Sequence, residues 1–213
     1  MAAGETDLEE FLDISRDIVQ DTTRARDVIR HLRALVRKGE VEFSRLNVNE
    51  VIEQVVVFLH GDIVGRNVTV RLELAPNLPA VRGDRTQVQQ VLLNLLLNAF
   101  DAMAENVQPE RCVTILSTLD SSKMVRVAVR DQGTGLAPGQ LEKLFQSFYT
   151  TKAKGLGIGL SVSRSIIDSH GGKLGAANNP RRGATFSFTL PVLDEDGARS
   201  EGALEFSAPR VSI

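Results

Sequence analysis

QQVLLNLLLNAFDAM, residues 89–103, reads as a mostly apolar helix that carries two carboxamides on one face. Asn94 and Asn98 stand four apart and therefore project side by side, while the leucines around them face a core. Paired carboxamides can offer oxygen ligands to a hard cation such as Mg²⁺, which keeps few protein ligands alongside waters and phosphate oxygens. Taken alone, the pair reads equally well as two structural amides with local hydrogen-bond partners.

Working outward, the flanking chain alternates helices and strands. Upstream, Asn49 to about Val64 has helical periodicity, with Asn47 or Asn49 as N-cap, and Val68–Leu74 alternates as a strand ended by Pro76 to Pro79. The quoted helix extends from Arg85 to about Ala104. Downstream, Val113–Leu119 and Met124–Val129 form a hairpin over Asp120-Ser121-Ser122. A glycine-punctuated loop region runs from Asp131 to Gly157, followed by a helix over Ile158–His170 closed by Gly171-Gly172. Lys173–Ala177 and Ala184–Leu190 supply two more strands across the turn Asn178–Gly183, and Pro191 ends the fold. His60 and His170 fall at helix ends, where a cap or dipole role is expected. These elements predict a compact α/β domain at 41–192.

The two ends differ in kind. From Asp7 to about Lys38, Leu8, Phe11, Leu12, Ile18, Val19, Val28, Ile29, Leu32, Leu35 and Val36 recur at helical spacing, predicting one long helix that stops at Gly39. Its narrow apolar seam needs partner helices. The last stretch, 193–213, is polar and aperiodic and reads as a disordered tail or linker.

Composition narrows the function classes. Over 213 residues, a formal net charge of -2 provides no basic field for nucleic acid or an anionic membrane. No apolar run reaches the roughly 18 residues of a membrane span, and the first residues lack a secretory leader pattern. The single cysteine, Cys112, opens an apolar run and reads as a buried small hydrophobe, in keeping with a reducing cytoplasm.

Two further clusters bear on chemistry. Asp131-Gln132-Gly133-Thr134-Gly135 follows a strand directly; a carboxylate held at a strand end can accept from an exocyclic amine such as that of adenine, and the glycines let a flat ring approach the backbone. By itself an Asp with two glycines is most often only a turn. Lys152-Ala153-Lys154-Gly155-Leu156-Gly157-Ile158-Gly159-Leu160 leads into a helix, whose exposed N-terminal amides and flanking lysines favour phosphate. The glycine spacing does not match a dinucleotide-binding fingerprint, and neither GKS nor GKT occurs, so a Walker loop is absent.

In this order and context, the three clusters resemble the N, G1 and G2 boxes of the histidine-kinase branch of the GHKL ATPases, which implies the Bergerat ATP-binding fold, an α/β two-layer sandwich with a mixed sheet and helices on one face. Leu144-Phe145-Gln146-Ser147-Phe148-Tyr149-Thr150-Thr151-Lys152 resembles the F box between them, and Gly183-Ala184-Thr185-Phe186 the last glycine box. The run LFQSFYTTK followed by GLGIGLSVSRSIIDSHGG is similar to FixL-type kinases. The resemblance covers about Leu46 to Val192. It implies that ATP and Mg²⁺ bind, with Asn98 the main metal ligand assisted by Asn94. It further implies that Asp131 recognises adenine, that Gly133 and Gly135 shape the purine pocket and that Thr185 lines it. Residues 152–160 would form the lid hinge and phosphate cradle, with Phe145 and Phe148 as lid anchors. The sequence departs from the family at Asp101, where many members carry a basic residue, so Lys152 or Lys154 would take over its phosphate contacts. Hydrolysing members carry glutamate where this chain has Asn94; an asparagine cannot take a proton from water, which favours phosphoryl transfer.

The family's phospho-accepting H-box string does not occur in this sequence. His31, between basic neighbours and with no adjacent acid, is a poor acceptor. Arg24 to Glu40 instead resembles the second helix of the dimerisation hairpin, so residues 1–40 are expected to be that helix. The implied partners are a response-regulator receiver domain and a second copy through the hairpin, with no nucleic acid or membrane contact and a cytoplasmic location. Two other readings are weighed beside this one: a non-catalytic scaffold of the same fold, and an anti-sigma-type serine kinase, which the long helix disfavours.

Overall fold

The structure, a computed structural model, describes residues 42–104, 111–150 and 156–193. The long helix expected at 7–38, residues 152–155 of the expected lid hinge and the tail expected from 193, save Leu193 itself, lie outside the described residues. Those that are described fall in two compact units, one comprising 42–142 with the chain from Ser163 onward, the other lying within Lys143–Val162.

The larger unit is built on a five-stranded sheet in the order β2-β4-β5-β7-β6. Its strands are β2 (Thr69–Leu74), β4 (Cys112–Leu119), β5 (Met124–Arg130), β6 (Leu174–Asn178) and β7 (Ala184–Pro191). Strands β2 and β4 pair in parallel and the remaining pairs are antiparallel, which makes the sheet mixed. On β5, Val125, Val127 and Val129 are buried while Arg126 and Arg130 are exposed, so one face carries the core. The expected hairpin is present: the Asp120 carboxylate accepts from Ser122 N, Ser122 Oγ and Met124 N at 2.9–3.0 Å. These bonds favour the ionised form and hold the Asp120 carboxyl below its ordinary value.

Helices α1 (Val48–Phe58), α2 (His60–Gly65) and α3 (Arg85–Ala102) belong to this unit. Asn47 caps α1 by accepting from Asn49 N at 3.1 Å. Asn49, the alternative cap, instead donates to Ala75 O at 2.9 Å and accepts from Ser117 Oγ at 2.7 Å, pinning the helix to the sheet. Where the periodicity predicts one helix to Val64, two form, because the chain leaves helical geometry at Leu59 (φ -85, ψ 6). Weak helix formers at His60 and Gly61 make this break cheap, and it leaves Leu59 fully buried.

Asp84 caps α3 by accepting from Gln87 N at 3.0 Å. Val88, Val91, Leu92, Leu95, Leu96, Ala99 and Phe100 are buried on this helix, each larger side chain contributing about 1.5–3 kcal/mol relative to exposure. Helix α4 (Gly159–Ser169) begins in the smaller unit and ends in the larger, where Ile166 and Ile167 are buried. Gly171, at φ 72, turns the chain as expected, and Gly172 N donates to Ile167 O.

Two corrections to the expected layout follow. Strands β1 (Ser44–Leu46) and β3 (Val81–Gly83) pair as a separate two-stranded sheet that three-residue strands without clear alternation do not announce. Pro191 does not end the fold, because Val192 bridges Val81 and Leu193 N donates to Ala80 O at 2.8 Å. His170 takes the cap role expected at a helix end, from a buried position: Nε2 accepts from Asp84 N at 3.0 Å and Nδ1 therefore donates to Ile166 O in the last turn of α4 at 2.8 Å, tying α4 to the start of α3. Cys112 is buried, as expected. Among the described residues, no helix is long and apolar enough to cross a membrane.

Candidate functional site

Asp131 follows β5 directly and is 2% exposed. Its Oδ1 accepts from Gly133 N at 2.8 Å and from Ala184 N at 3.1 Å. The Asp131 main chain also pairs with Ala184, so the carboxylate is anchored between the loop after β5 and the start of β7. A carboxylate with one oxygen held by two backbone donors has its remaining oxygen as acceptor for a third group.

Two glycines fit tightly around it. A Cβ on Gly133 would stand 2.6 Å from Ala102 O, and one on Gly183, at φ 82, would stand 2.2 Å from Asp131 O. Neither position has room for a side chain, which gives a physical reason for glycine in both boxes. Gly135 takes φ 74, and a Cβ there would stand 3.0 Å from Asn178 Oδ1 and 3.3 Å from Gly183 O. The end of α3 thus abuts the loop: Thr134 N donates to Ala102 O at 3.3 Å.

Asn94, Asn98 and Asp101 occupy positions i, i+4 and i+7 of α3, forming one stripe that ends at this contact. Asn94 and Asn98 are half-buried. Asn94 Nδ2 donates to Ser163 Oγ at 2.9 Å, which orients its carboxamide. Ser163 is buried on α4 and was not legible as a partner, since the two residues are far apart in sequence. Carboxamide oxygens are hard donors of the kind Mg²⁺ accepts, so the stripe fits the cation that the resemblance implies. Asp101 pairs with Arg66 Nη1 at 2.6 Å, and Asp62 also approaches that guanidinium at 3.9 Å. The acid at the position where many family members have a base is thus matched by a base brought from the end of α2.

The resemblance implies that Thr185 lines the purine pocket. It stands opposite Arg130 in the β5–β7 register and shares that face of the sheet, whereas its neighbour Ala184 shares the face of Asp131. Its hydroxyl donates to Asn179 Oδ1 at 2.6 Å.

Within the smaller unit, Phe148 N donates to Gly157 O at 2.9 Å, pairing the F-box segment with the glycine run. Gly157, at φ 66, could not carry a Cβ without meeting Phe148 C and Tyr149 O at 2.6 Å. Phe148 is 77% exposed and sits at φ 67, so burial of its ring does not anchor the segment; Phe145 is half-buried. Leu156 is exposed, Ile158, Gly159 and Leu160 are half-buried, and Lys152, Lys154 and Gly155 lie outside the described residues.

Burial raises the Asp131 carboxyl above its ordinary value, partly opposed by the bonds from Gly133 and Ala184. A raised value in the folded state means that folding favours the protonated form. This group's contribution to stability is therefore fullest below the ordinary carboxylate value and is lost as pH rises through the folded value. A ligand amine needs the ionised form, so its binding has the opposite dependence. Affinity for a 6-aminopurine is expected to fall as pH drops from neutrality through the raised value, whereas affinity for a 6-oxopurine should not follow this trend. Calorimetric titrations across that range would check it.

A family model described as histidine kinase-, DNA gyrase B- and HSP90-like ATPase matches residues 83–194. The sensor protein FixL of Bradyrhizobium diazoefficiens is 42% identical over 177 residues, which is 83% of this chain and 35% of that protein. Sensor protein TdiS of Thauera aromatica is 39% identical, over 79% of this chain and 31% of that protein. The chain spans about a third of the length of these curated relatives. Among solved structures, the catalytic domain of histidine kinase ThkA matches with a TM-score of 0.63 and 38% identity, covering 71% of this chain and 96% of that one. ThkA in complex with response regulator protein TrrA matches with a TM-score of 0.65 and 31% identity, covering 87% of this chain and 52% of that one.

Proposed function

The chain belongs to the histidine kinase-, DNA gyrase B- and HSP90-like ATPases and carries the catalytic domain of a sensor histidine kinase, and from that premise we propose how its residues serve phosphoryl transfer. In the complete protein, the domain passes the γ-phosphoryl group of ATP to a histidine, for relay to an aspartate of a response regulator. The single observation that carries the reading is the buried Asp131 carboxylate, held by two backbone N–H groups between glycines that have no room for a side chain.

Asp131 accepts a hydrogen bond from the adenine amine, and Gly133 and Gly135 leave space for the ring. Asn98, assisted by Asn94, holds Mg²⁺. When bound, that ion neutralises phosphate charge. Asn94 has no basic atom to take a proton from water, which favours transfer over hydrolysis. The glycine run from Gly155 to Leu160 and the preceding Lys152 and Lys154 hold the phosphates, as backbone amides at a helix start do. The likeness to ThkA, solved with a response regulator, supports a receiver domain as partner. Dimerisation through residues 1–40 and a cytoplasmic location complete the proposal.

Titration of the chain with ATP, with and without Mg²⁺, tests this reading. Saturable binding that strengthens with Mg²⁺, and an Asn98→Ala variant in which the ion no longer helps, are the expected results. Absence of ATP binding in the wild type would overturn the reading in favour of a non-catalytic scaffold.

A further inference from the structure

Two consecutive asparagines outside the family boxes hold both ends of the loop that starts at Asp131. Asn178, the last residue of β6, spends its whole carboxamide on one residue: Oδ1 accepts from Leu136 N at 2.7 Å and Nδ2 donates to Leu136 O at 2.8 Å. Asn179 works at the other end, where Nδ2 donates to the Asp131 carbonyl at 2.8 Å and to Arg182 O at 3.1 Å. Its Oδ1 accepts from Thr185 Oγ1 at 2.6 Å, and its main-chain N donates to Gly183 O at 2.9 Å. The orientation of this amide is determined by its surroundings, since reversing it would set Oδ1 against two carbonyl oxygens.

The loop 131–136 is thus tied at its first residue by Asn179 and at its last by Asn178. Nothing in the chemistry of a β-turn requires this. A turn from 178 to 183 closes through the Asn179 N to Gly183 O bond alone, whereas the side-chain bonds reach across more than 40 residues of sequence to the loop.

We propose that Asn178 and Asn179 form a positioning clamp that presets the Asp131 loop for purine recognition and so sets the preference for adenine over guanine. The proposal rests on the reading that Asp131 accepts from the adenine amine. A loop already ordered before the ligand arrives loses less conformational freedom on binding, and the carboxylate meets the amine at hydrogen-bond distance without rearrangement. Contacts to the triphosphate come from other parts of the chain and do not depend on the clamp. Both asparagines are therefore positioning residues that act through the loop and do not themselves touch the base.

The test is calorimetric titration of the full chain with Mg·ATP and, by competition, Mg·GTP, with a thermal melt for each variant. Asn179→Ala is expected to weaken ATP binding about tenfold, the worth of one to two well-made hydrogen bonds, and to leave GTP affinity unchanged, so that the preference narrows. Asn178→Ala, which releases the other end, should act in the same direction, and the double variant should fall short of the product of the two effects. A parallel loss of ATP and GTP affinity with a lowered melting temperature would overturn the clamp in favour of a merely structural role. Unchanged affinities in both single variants would overturn it as well. Failure of the underlying reading looks different: the wild type would then bind ATP no better than GTP, whatever the asparagines do.

Discussion

Asp131→Asn is expected to lose ATP affinity by about a hundredfold while the domain stays folded. The asparagine is nearly isosteric, and its Oδ1 can keep both backbone bonds, from Gly133 N and Ala184 N. What changes is the other terminal atom, which turns from a charged acceptor into an N–H donor. An adenine amine then meets a donor. The loss combines a charge-assisted hydrogen bond, worth about 1.5–3 kcal/mol, with an unmatched polar contact, for a total of about 3 kcal/mol or two orders of magnitude in Kd. Stability should move the other way or not at all, because burial works against the ionised carboxylate that the substitution removes. Calorimetry with ATP and GTP, alongside a thermal melt, separates the two effects. Binding of ATP at wild-type strength by this variant would show that Asp131 does not read the base.

Much of this candidate site is legible in the sequence, because its parts are local. The asparagines of α3 reveal themselves by helical spacing, and Asp131 by its place after an alternating strand. The strands β4, β5 and β7 announce their core face through Val, Ile and Phe at every second position. What could not be read is what depends on contacts between distant segments. Asn178 and Asn179 look like ordinary turn residues until Leu136 and Asp131 arrive beside them. Likewise, the acid at 101 looks like a departure until Arg66 is found paired with it. Thr185 illustrates a different difficulty: membership of a motif does not say which face of a strand a residue takes, and a shift of one position decides it. The short strands β1 and β3 form because their partners exist, since three residues carry too little pattern to predict them.

Gly183→Ala should be among the most destabilising single methyl additions in the larger unit and should also abolish nucleotide binding. The residue sits at φ 82, where a Cβ is strained whatever the space, at about 1–2 kcal/mol. Space is lacking as well: the added carbon would lie 2.2 Å from Asp131 O and 2.7 Å from Asp131 Oδ1. Because the first of these atoms is backbone, no rotamer change can relieve the overlap, and the strand end or the Asp131 loop must move. Overpacking of this kind costs about 1–3 kcal/mol, so the two effects together reach about 2–5 kcal/mol against a total stability of about 5–15 kcal/mol. The melting temperature should fall by about 5–15 °C. Any relaxation that accommodates the methyl group displaces the carboxylate, so ATP binding is lost even where the variant folds. Gly175→Ala on β6 provides the control, since nothing lies within 4 Å of its added carbon and its φ is not positive. That substitution should change stability by no more than about 0.5 kcal/mol. If the two variants melt together, the close approach of Gly183 to Asp131 is not a feature of the folded protein, and the geometry on which the proposed adenine recognition rests falls with it.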